Sequence, residues 1–452
     1  VGLTPDDKTR IELSAALSDG RAAYADRSMD GSKFRRENVS LMFERKRMGG
    51  LVDAIEGQVY YNYVDHVMDN YTLRDVPSGK MNPYMAGNPD RRTTGGRLSA
   101  TLRPAESWEL VVGADAKQDV HRGRGSGMRA SADAADAAFL AAPRVEDMRF
   151  EQHGVFGEST WFLTGADRVV GGLRVDWVEA RDKRAPGKSA TAGRDNDRTL
   201  TSGFLRYERD YGDNSTWYAG VGHSERFPDY WELMKGSPDG SNSAFLSTRP
   251  EKLNQLDIGT NWRSGPFALS ASAFYSRVDD YILIDWNRSQ TRNVDAEVVG
   301  GELDASWQFH PAWQGVASLS YVHGRNRTDD TALAQQPPLE VRLGLNYAQG
   351  PYSAGMLWRL VAAQDRYDKG MGGIAGKDLG PTGGFGVLSF NAGWRPSKTV
   401  LLTAGVDNVL NKTYAEHLSK SGADIPGSAS FLNTRINEPG RVFWLKAQIA
   451  LD

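Results

Sequence analysis

The chain contains 452 residues and no cysteine, with 54 basic against 57 acidic side chains. This near balance of charge, without a basic block, gives no field or face that would attract a nucleic acid. The absence of cysteine excludes thiolate catalysis, disulfides and thiolate metal ligands within the sequence shown. No signal peptide is recognisable, and no apolar run approaches the roughly 18 residues of a membrane helix. A membrane protein of this kind would cross with strands, whose alternating apolar and polar residues average to a polar hydropathy.

The pattern along the chain is a series of alternating strands. The first residues, VGLTPDDKTRIELSA (1–15), predict a tight turn and the start of a strand. Farther along, residues 353–362, 400–407 and 443–451 place apolar side chains on one face and mostly polar ones on the other. The polar face needs water or a partner, so the apolar face has to contact lipid or a protein core.

The connections between these strands alternate between short turns and long polar segments. The short turns are RPAES (103–107), LTGAD (163–167), YGDNS (211–215), RSGP (263–266), HPAW (310–313), QGPY (349–352) and RPSK (395–398). The long segments are residues 70–92, 121–147, 180–196, 226–252 and 410–440. Tight turns at one rim and large loops at the other are typical of bacterial outer-membrane barrels. We therefore predict an all-β fold, a transmembrane antiparallel β-barrel of which about 18 strands are visible. A soluble array of sandwiches or a propeller is the alternative, although no repeat of fixed period supports a propeller.

Several segments resemble the TonB-dependent outer-membrane receptors. They are RFPDYWELM (226–234), RPEKLNQLDIG (249–259), RNVDAEVVGGELDASW (292–307), GVDNVLNKTYAEH (405–417) and NEPGRVFWLKAQIALD (437–452). The resemblance implies a monomeric barrel of about 22 strands in a Gram-negative outer membrane. It also implies an N-terminal plug domain, the protein TonB as partner, and contact with lipid and lipopolysaccharide. Neither a plug nor a TonB box is recognisable, so we expect residues 1–452 to form one partial receptor barrel domain without its first strands.

Further segments extend the resemblance to one branch of this family, the copper receptors of the OprC and NosA type. They are YYNYVDHVMDNYTLR (60–74), NPDRRTTGGRL (88–98), GHSERFPDYWEL (222–233), WRLVAAQDRY (358–367), GKDLGPTGGFGV (376–387), KTYAEHL (412–418) and RINEPGR (435–441). The resemblance implies that copper is the substrate and that the plug supplies sulfur ligands.

The stretch YNYVDHVMDNY (61–71) contains a histidine and a methionine two residues apart in a predicted strand. Because side chains alternate, His66 and Met68 face the same way, and we expect both to face the barrel lumen. Asp65 then lies on the outer face, at or beyond the membrane interface. An imidazole and a thioether suit Cu(I), accept Cu(II) less well and are poor ligands for Mg²⁺ or Ca²⁺. The plainer interpretation is a lumenal histidine beside a methionine that fills a gap.

Two more methionines follow in the predicted loop KMNPYMAGN (80–88). Met81 and Met85 would form a secondary metal relay, since thioethers bind copper weakly enough to pass it on. The alternative is that both make simple apolar contacts.

The other six histidines lack a second soft ligand at a matching spacing. We expect hydrogen-bonded surface or rim positions for His121, His153, His223, His310, His323 and His417. Glu416 stands beside His417 and would form a carboxylate–histidine pair with it. No Ser-His-Asp order, HExxH or paired-carboxylate motif is present, so we expect no catalytic residues and no enzyme activity.

The leading functional prediction is TonB-dependent import of copper ions, bound by His66, Met68 and plug ligands. A receptor for a metal chelate or small organic cofactor, in which both residues are bystanders, is the alternative within transport. A passive porin is the alternative from another class, and an outer-membrane enzyme is more remote.

Overall fold

The chain folds into one antiparallel sheet whose consecutive strands pair along the sequence. The computed structural model describes residues 1–76, 83–212, 214–422 and 434–450. The first strands are β1 (Gly2–Asp6), β2 (Thr9–Ser18), β3 (Asp30–Arg45), β4 (Val52–Asp69), β5 (Tyr84–Ala105) and β6 (Trp108–Met128). After helix α1 (Ala132–Ala141) come β7 (Val145–Phe162), β8 (Asp167–Asp182), β9 (Asp195–Tyr211) and β10 (Ser215–Arg226).

The second half of the sheet follows a short helix, α2 (Tyr230–Leu233). Its strands are β11 (Glu251–Ser264), β12 (Phe267–Asp285), β13 (Gln290–His310), β14 (Trp313–Asn326), β15 (Thr331–Ala332), β16 (Glu340–Gln349), β17 (Tyr352–Val361), β18 (Met371–Gly372), β19 (Phe385–Trp394), β20 (Val400–Asp407) and β21 (Val442–Ile449). β15 and β18 are two-residue pieces within loops. Neither helix in the described residues is long and apolar enough to cross a membrane.

The predicted all-β barrel architecture is confirmed, with one strand more than the sequence indicated. Apart from β15 and β18, nineteen strands form a meander in the described part of the chain, and the additional one is β1. Asp6 pairs with Thr9 across the first turn, so the chain enters on a short descending strand that the sequence pattern missed. β1 pairs with β2 and β21 pairs with β20, and within the described residues no pairing joins β1 to β21. The sheet is therefore open between these two edges.

The membrane-facing surface shows the predicted period of two. Val59, Leu98 and Leu173 are exposed large apolar side chains on the outside of the sheet. Near the tight turns, cross-strand aromatic pairs form a girdle. Trp108 and Trp161 meet edge to face at 6.2 Å, and Phe267 stacks on Trp307 at 5.2 Å. Such belts are typical of the membrane interface.

The loop rim is taller than the sequence predicted. The segments 70–92 and 121–147 were expected to be loops, but β5 begins at Tyr84 and β6 continues to Met128. β5 has 22 residues and β6 has 21, about twice what a membrane strand needs. Both strands therefore project beyond the membrane, because the polar residues there continue the ladder instead of leaving it.

The fully buried apolar core lies at this loop rim. Around α2, the loop between β10 and β11 packs Tyr230, Leu233 and Phe245 against Met148 of β7. A capping box begins the helix: the Asp229 side chain accepts from the Trp231 amide at 2.9 Å, and the Glu232 side chain accepts from the Asp229 amide at 2.6 Å. This packing fixes the positions of the residues that follow α2.

Candidate metal centre

His66 and Met68 line one cavity of about 600 Å³ at the loop end of β4. We call it the rim cavity. Its other lining residues come from five loops, and they include Arg27, Met29, Trp231, Lys235, Trp286, Lys377 and Lys420. The expectation that His66 and Met68 share a face is therefore consistent with the structure, which places both on the same cavity. That they bind a metal stays a prediction.

The ring of His66 is oriented by an aromatic neighbour and has an unused nitrogen. It stacks on Phe34 of β3, with 4.3 Å between ring centroids and 26° between planes. Its Nε2 atom is buried and has no hydrogen-bond partner among the described residues. Buried polar atoms are nearly always satisfied, so an unpartnered imidazole nitrogen beside a cavity indicates a missing ligand or water. Nitrogen Nε2 of a neutral imidazole is a common metal-binding atom.

Met68 has a glycine opposite it on each neighbouring strand. Gly31 of β3 and Gly87 of β5 are its cross-strand partners. The Phe34 ring fills the space over Gly31, whereas a Cβ atom at Gly87 would have no neighbour within 4 Å. Met68 is therefore open on the β5 side, where no side chain of its partner residue covers it.

Met29 is a third soft side chain on the rim cavity, and sequence reasoning missed it. It lies in the loop between β2 and β3, which is fixed by Arg74. The Arg74 guanidinium donates to Asp30 at 2.7 Å, to the Arg27 carbonyl at 2.9 Å and to the Tyr24 carbonyl at 2.8 Å. No sequence spacing relates Met29 to His66, because only the pairing of β3 with β4 brings the loop to the cavity.

The structure describes one of the two methionines that were predicted to form a metal relay. Met85 lies at the start of β5 and not in a loop, is exposed, and does not line the rim cavity. The Met85 backbone amide donates a hydrogen bond to the Asn70 side chain at 2.9 Å. Alternation from Gly87 puts Met85 on the face that carries Met68, one step nearer the rim. Met81 lies outside the described residues.

Comparisons with known proteins agree with this architecture. The family model for the TonB dependent receptor-like β-barrel matches residues 2–409. The chain belongs to this family. It is a TonB-dependent outer-membrane receptor, in a family of receptors and transporters.

Several solved structures and curated proteins are similar to this chain. The structure described as copper transporter OprC has a TM-score of 0.93 and 44% sequence identity, covering 99% of this chain and 70% of that one. The FrpB iron transporter from Neisseria meningitidis (F5-1 variant) shares the fold, with a TM-score of 0.72 and 16% identity over 99% of this chain and 71% of that chain. The pesticin receptor of Yersinia pestis is 24% identical over 235 residues, 46% of this chain and 33% of the relative. The match thus spans about a third of the length of that curated relative.

Behind His66 and Met68, on the outer face of β4, the polar groups are saturated with hydrogen bonds. Asp65 is buried and accepts from Lys33 at 2.8 Å, from Asn88 at 2.7 Å and from Arg144 at 3.1 Å. Asn88 also donates to the carbonyl of His66 at 3.0 Å. Asp65 does lie on the face opposite His66, as alternation predicted, but it contacts protein because the segment after α1 covers it.

The side of the rim cavity away from β4 is aromatic and cationic. Lys235 lies over the Trp286 ring, 4.2 Å from its centroid. Burial lowers the pKa of Lys235. Asp26 is the one carboxylate that lines the cavity among the described residues. Burial opposes its ionisation, but hydrogen bonds from Arg27 and Lys420 outweigh burial and lower the pKa of Asp26.

The remaining histidines fall into different environments. His223 shares a hydrogen bond with Asn254 at 2.9 Å, and His310 accepts from the Ala312 amide at 3.1 Å, as expected of rim and turn residues. His121 differs, since its ring stacks on Tyr230 at 4.2 Å and its Nε2 is unpartnered within the described chain.

The expected pair of Glu416 with His417 is wrong. Glu416 pairs with Arg359 at 3.0 Å. His417 is buried, shares a hydrogen bond with Thr382 at 3.0 Å, and has Nε2 3.8 Å from Asp378. A turn begins at Glu416, whose carbonyl accepts from the Ser419 amide at 3.1 Å, and the two side chains have different partners. Among the described residues, no group of three or more His, Asp or Glu is arranged as a metal site.

Proposed function

We propose that this receptor imports copper across the outer membrane, with His66 and Met68 as the ligands from the barrel. The observation that carries the proposal is the buried, unpartnered Nε2 of His66, a residue that lines the same cavity as Met68. The 44% identity to the structure described as a copper transporter supports it.

The donor set favours a soft metal. An imidazole with thioethers suits copper, whereas Mg²⁺ and Ca²⁺ require carboxylates and carbonyls. Two ligands on one strand do not complete a coordination sphere. Met29 is available from this chain, and we propose that a plug domain supplies further sulfur ligands.

Transport requires release as well as binding. Thioethers form weaker bonds to copper than thiolates, so a site rich in methionine can lose its metal when one part of it moves. We propose that TonB acts on the plug, withdraws the plug ligands and leaves copper on His66 and Met68 alone. Met85, one step nearer the rim, would be an earlier point of contact for the metal, and Met81 would precede it. The role of the site is binding, and we assign it no catalysis.

The test is copper binding by the purified full-length receptor in which His66→Ala and Met68→Ala are combined. We expect the affinity for Cu(I) to fall about 100-fold or more, which corresponds to about 2.7 kcal/mol. The matched control combines His153→Ala with Met48→Ala, which removes the same two residue types from exposed positions away from the cavity. Equal copper affinity in the two double variants would overturn the assignment.

A further inference from the structure

The rim cavity is much larger than a bare copper ion needs. Its volume of about 600 Å³ falls in the range of pockets that enclose small organic ligands, roughly 300–1,000 Å³. His66, Met68 and Met29 account for one side only. Trp231, Trp286 and the apolar residues that also line it supply no soft metal ligand from their side chains within the described ranges.

The charge of the rim cavity is opposite to what a free cation prefers. Four cationic side chains line it against one carboxylate, Asp26. Asp26 is shared by Arg27 and Lys420, each at 3.3 Å. Lys235 and Lys377 have no ion-pair partner in the described part of the chain. A metal cation approaching His66 is therefore repelled by uncompensated positive charge, and an anion is attracted.

Lys235 is the most specialised of these cations. It is half-buried over Trp286, and the lowered pKa reflects burial with no carboxylate to offset it. Keeping an ammonium group partly desolvated costs free energy unless an anion or π face compensates. An aromatic surface with a partly buried cation beside it fits a flat ligand that carries a carboxylate or another anionic group.

We propose that copper reaches this cavity as an anionic complex with a small organic ligand. Lys235 and Lys377 bind the anionic groups of the ligand, Trp231 and Trp286 contact its rings, and the metal faces His66 and Met68. Lys235 and Lys377 are then residues that determine specificity. The inference rests on the proposed copper function and names its substrate class.

The experiment compares two copper complexes of the same shape and opposite charge. Dipicolinate gives a dianionic bis-complex with Cu(II), while pyridinedimethanol, with the same ring and chelating geometry, gives a dicationic one. Equilibrium dialysis of the full-length receptor would measure the Kd of each, for the wild type and for Lys235→Gln with Lys377→Gln. We expect the wild type to bind the dianion at least about tenfold more tightly, and the lysine variant to lose that preference. Its Kd for Cu(I) added without a chelator should not increase.

Several outcomes would overturn the inference. They are equal binding of both complexes by the wild type, a preference that survives in the lysine variant, or no binding of either complex. Equal binding of both complexes is the result expected if carboxylates of a plug domain already neutralise the lysines. The variant His66→Ala with Met68→Ala separates this inference from the copper proposal. Because six chelator donors already surround Cu(II) in the dianion, the two ligands are tested with Cu(I). An unchanged Kd for Cu(I) in this variant, together with retained lysine-dependent binding of the dianion, would refute the two ligands while leaving the anion site intact.

Discussion

The two faces of β4 at the loop rim differ sharply, although Asp65 and His66 are adjacent in sequence. On the outer face, Asp65 accepts four hydrogen bonds from Lys33, Asn88 and Arg144. On the inner face, the Nε2 of His66 is buried without a partner among the described residues. One strand thus carries a polar cluster with all its hydrogen bonds made on one side, and a buried nitrogen without a hydrogen bond on the other.

The difference separates groups that stabilise the fold from groups that are available to a ligand. A buried carboxylate surrounded by hydrogen-bond donors costs little free energy in the folded protein, and it holds the strand in position. A buried nitrogen without a partner costs free energy in the folded protein, so its presence on a cavity indicates a ligand that compensates on binding. Asn88 connects the two faces, because it donates both to Asp65 and to the carbonyl of His66.

Removing the outer cluster should affect stability most. Asp65→Ala leaves Lys33 and Arg144 near each other without their shared acceptor, and loss of one partner of a buried pair costs about 3 kcal/mol. We expect urea unfolding of the receptor in lipid to show this loss, with the stoichiometry of copper binding retained. Glu37→Ala is the control, since Glu37 lies on an exposed part of β3 and pairs with Arg35 at 2.8 Å. Exposed pairs contribute under about 1 kcal/mol. Similar losses for Asp65→Ala and Glu37→Ala would remove the contrast between the faces.

Removing the inner nitrogen should have the reverse effect. His66→Phe keeps a ring stacked on Phe34 and eliminates the unpartnered Nε2. We expect the Cu(I) affinity to fall about 100-fold, or 2.7 kcal/mol, while the unfolding free energy stays equal or rises because a buried unsatisfied group costs about 1–3 kcal/mol. Calorimetric copper titration and urea unfolding measure the two effects. A variant that loses stability and keeps copper affinity would show that His66 is a packing residue.

Sequence pattern predicted the strands and the two faces, because both follow from a period of two. It placed His66 and Met68 together and Asp65 behind them without any knowledge of neighbouring strands. The extent of β5 and β6 was missed, since polar rim residues such as Arg122 pair with partners from other strands that the local sequence does not show. Arg122 donates to Asp90 at 2.9 Å.

The remainder of the cavity depends on contacts between distant segments. Met29 reaches the cavity, and Phe34 reaches the ring of His66, through the register of β3 against β4, which no local motif specifies. Trp286 and Lys377 reach it through the folding of separate loops. Glu416 was misassigned for the same reason, because Arg359 approaches it from another strand.

Gly31 offers a smaller and indirect way to disturb the inner face. A Cβ atom at Gly31 would lie 2.0 Å from Cε2 of the Phe34 ring, so Gly31→Ala has to displace the ring that stacks on His66. We expect the Cu(I) affinity to fall about tenfold, or 1.4 kcal/mol, because the imidazole loses its fixed orientation. Gly87→Ala is a matched control, since it also faces Met68 and its Cβ would have no neighbour within 4 Å. Equal affinities in the two variants would show that the stack does not position His66.

Substitution of His417 should have the smallest effect. It tests whether a buried nitrogen without a hydrogen-bond partner is sufficient to identify a ligand site. Its Nε2 is also buried without a hydrogen bond among the described residues, but Asp378 lies 3.8 Å away and His417 does not line the rim cavity. Burial and Arg435 lower the pKa of His417, and Asp378 only partly offsets them. The unfolded chain therefore binds the proton first, so this stabilising contribution is complete above about pH 6.5 and decreases as pH falls toward the folded value.

The loop that contains Thr382 should respond to this change in pH. Gln364 and Thr382 exchange backbone hydrogen bonds of 2.9 and 2.8 Å near His417. We expect their hydrogen exchange, corrected for intrinsic pH dependence, to accelerate modestly between about pH 7 and pH 5 in the wild type. His417→Gln, which cannot titrate, should show no such acceleration, and copper affinity should be unchanged in this variant. His417→Gln could instead weaken copper binding as much as His66→Phe does. An unpartnered buried nitrogen would then not distinguish a metal ligand from a structural residue, and the difference between the two faces of β4 would not identify His66 as a ligand.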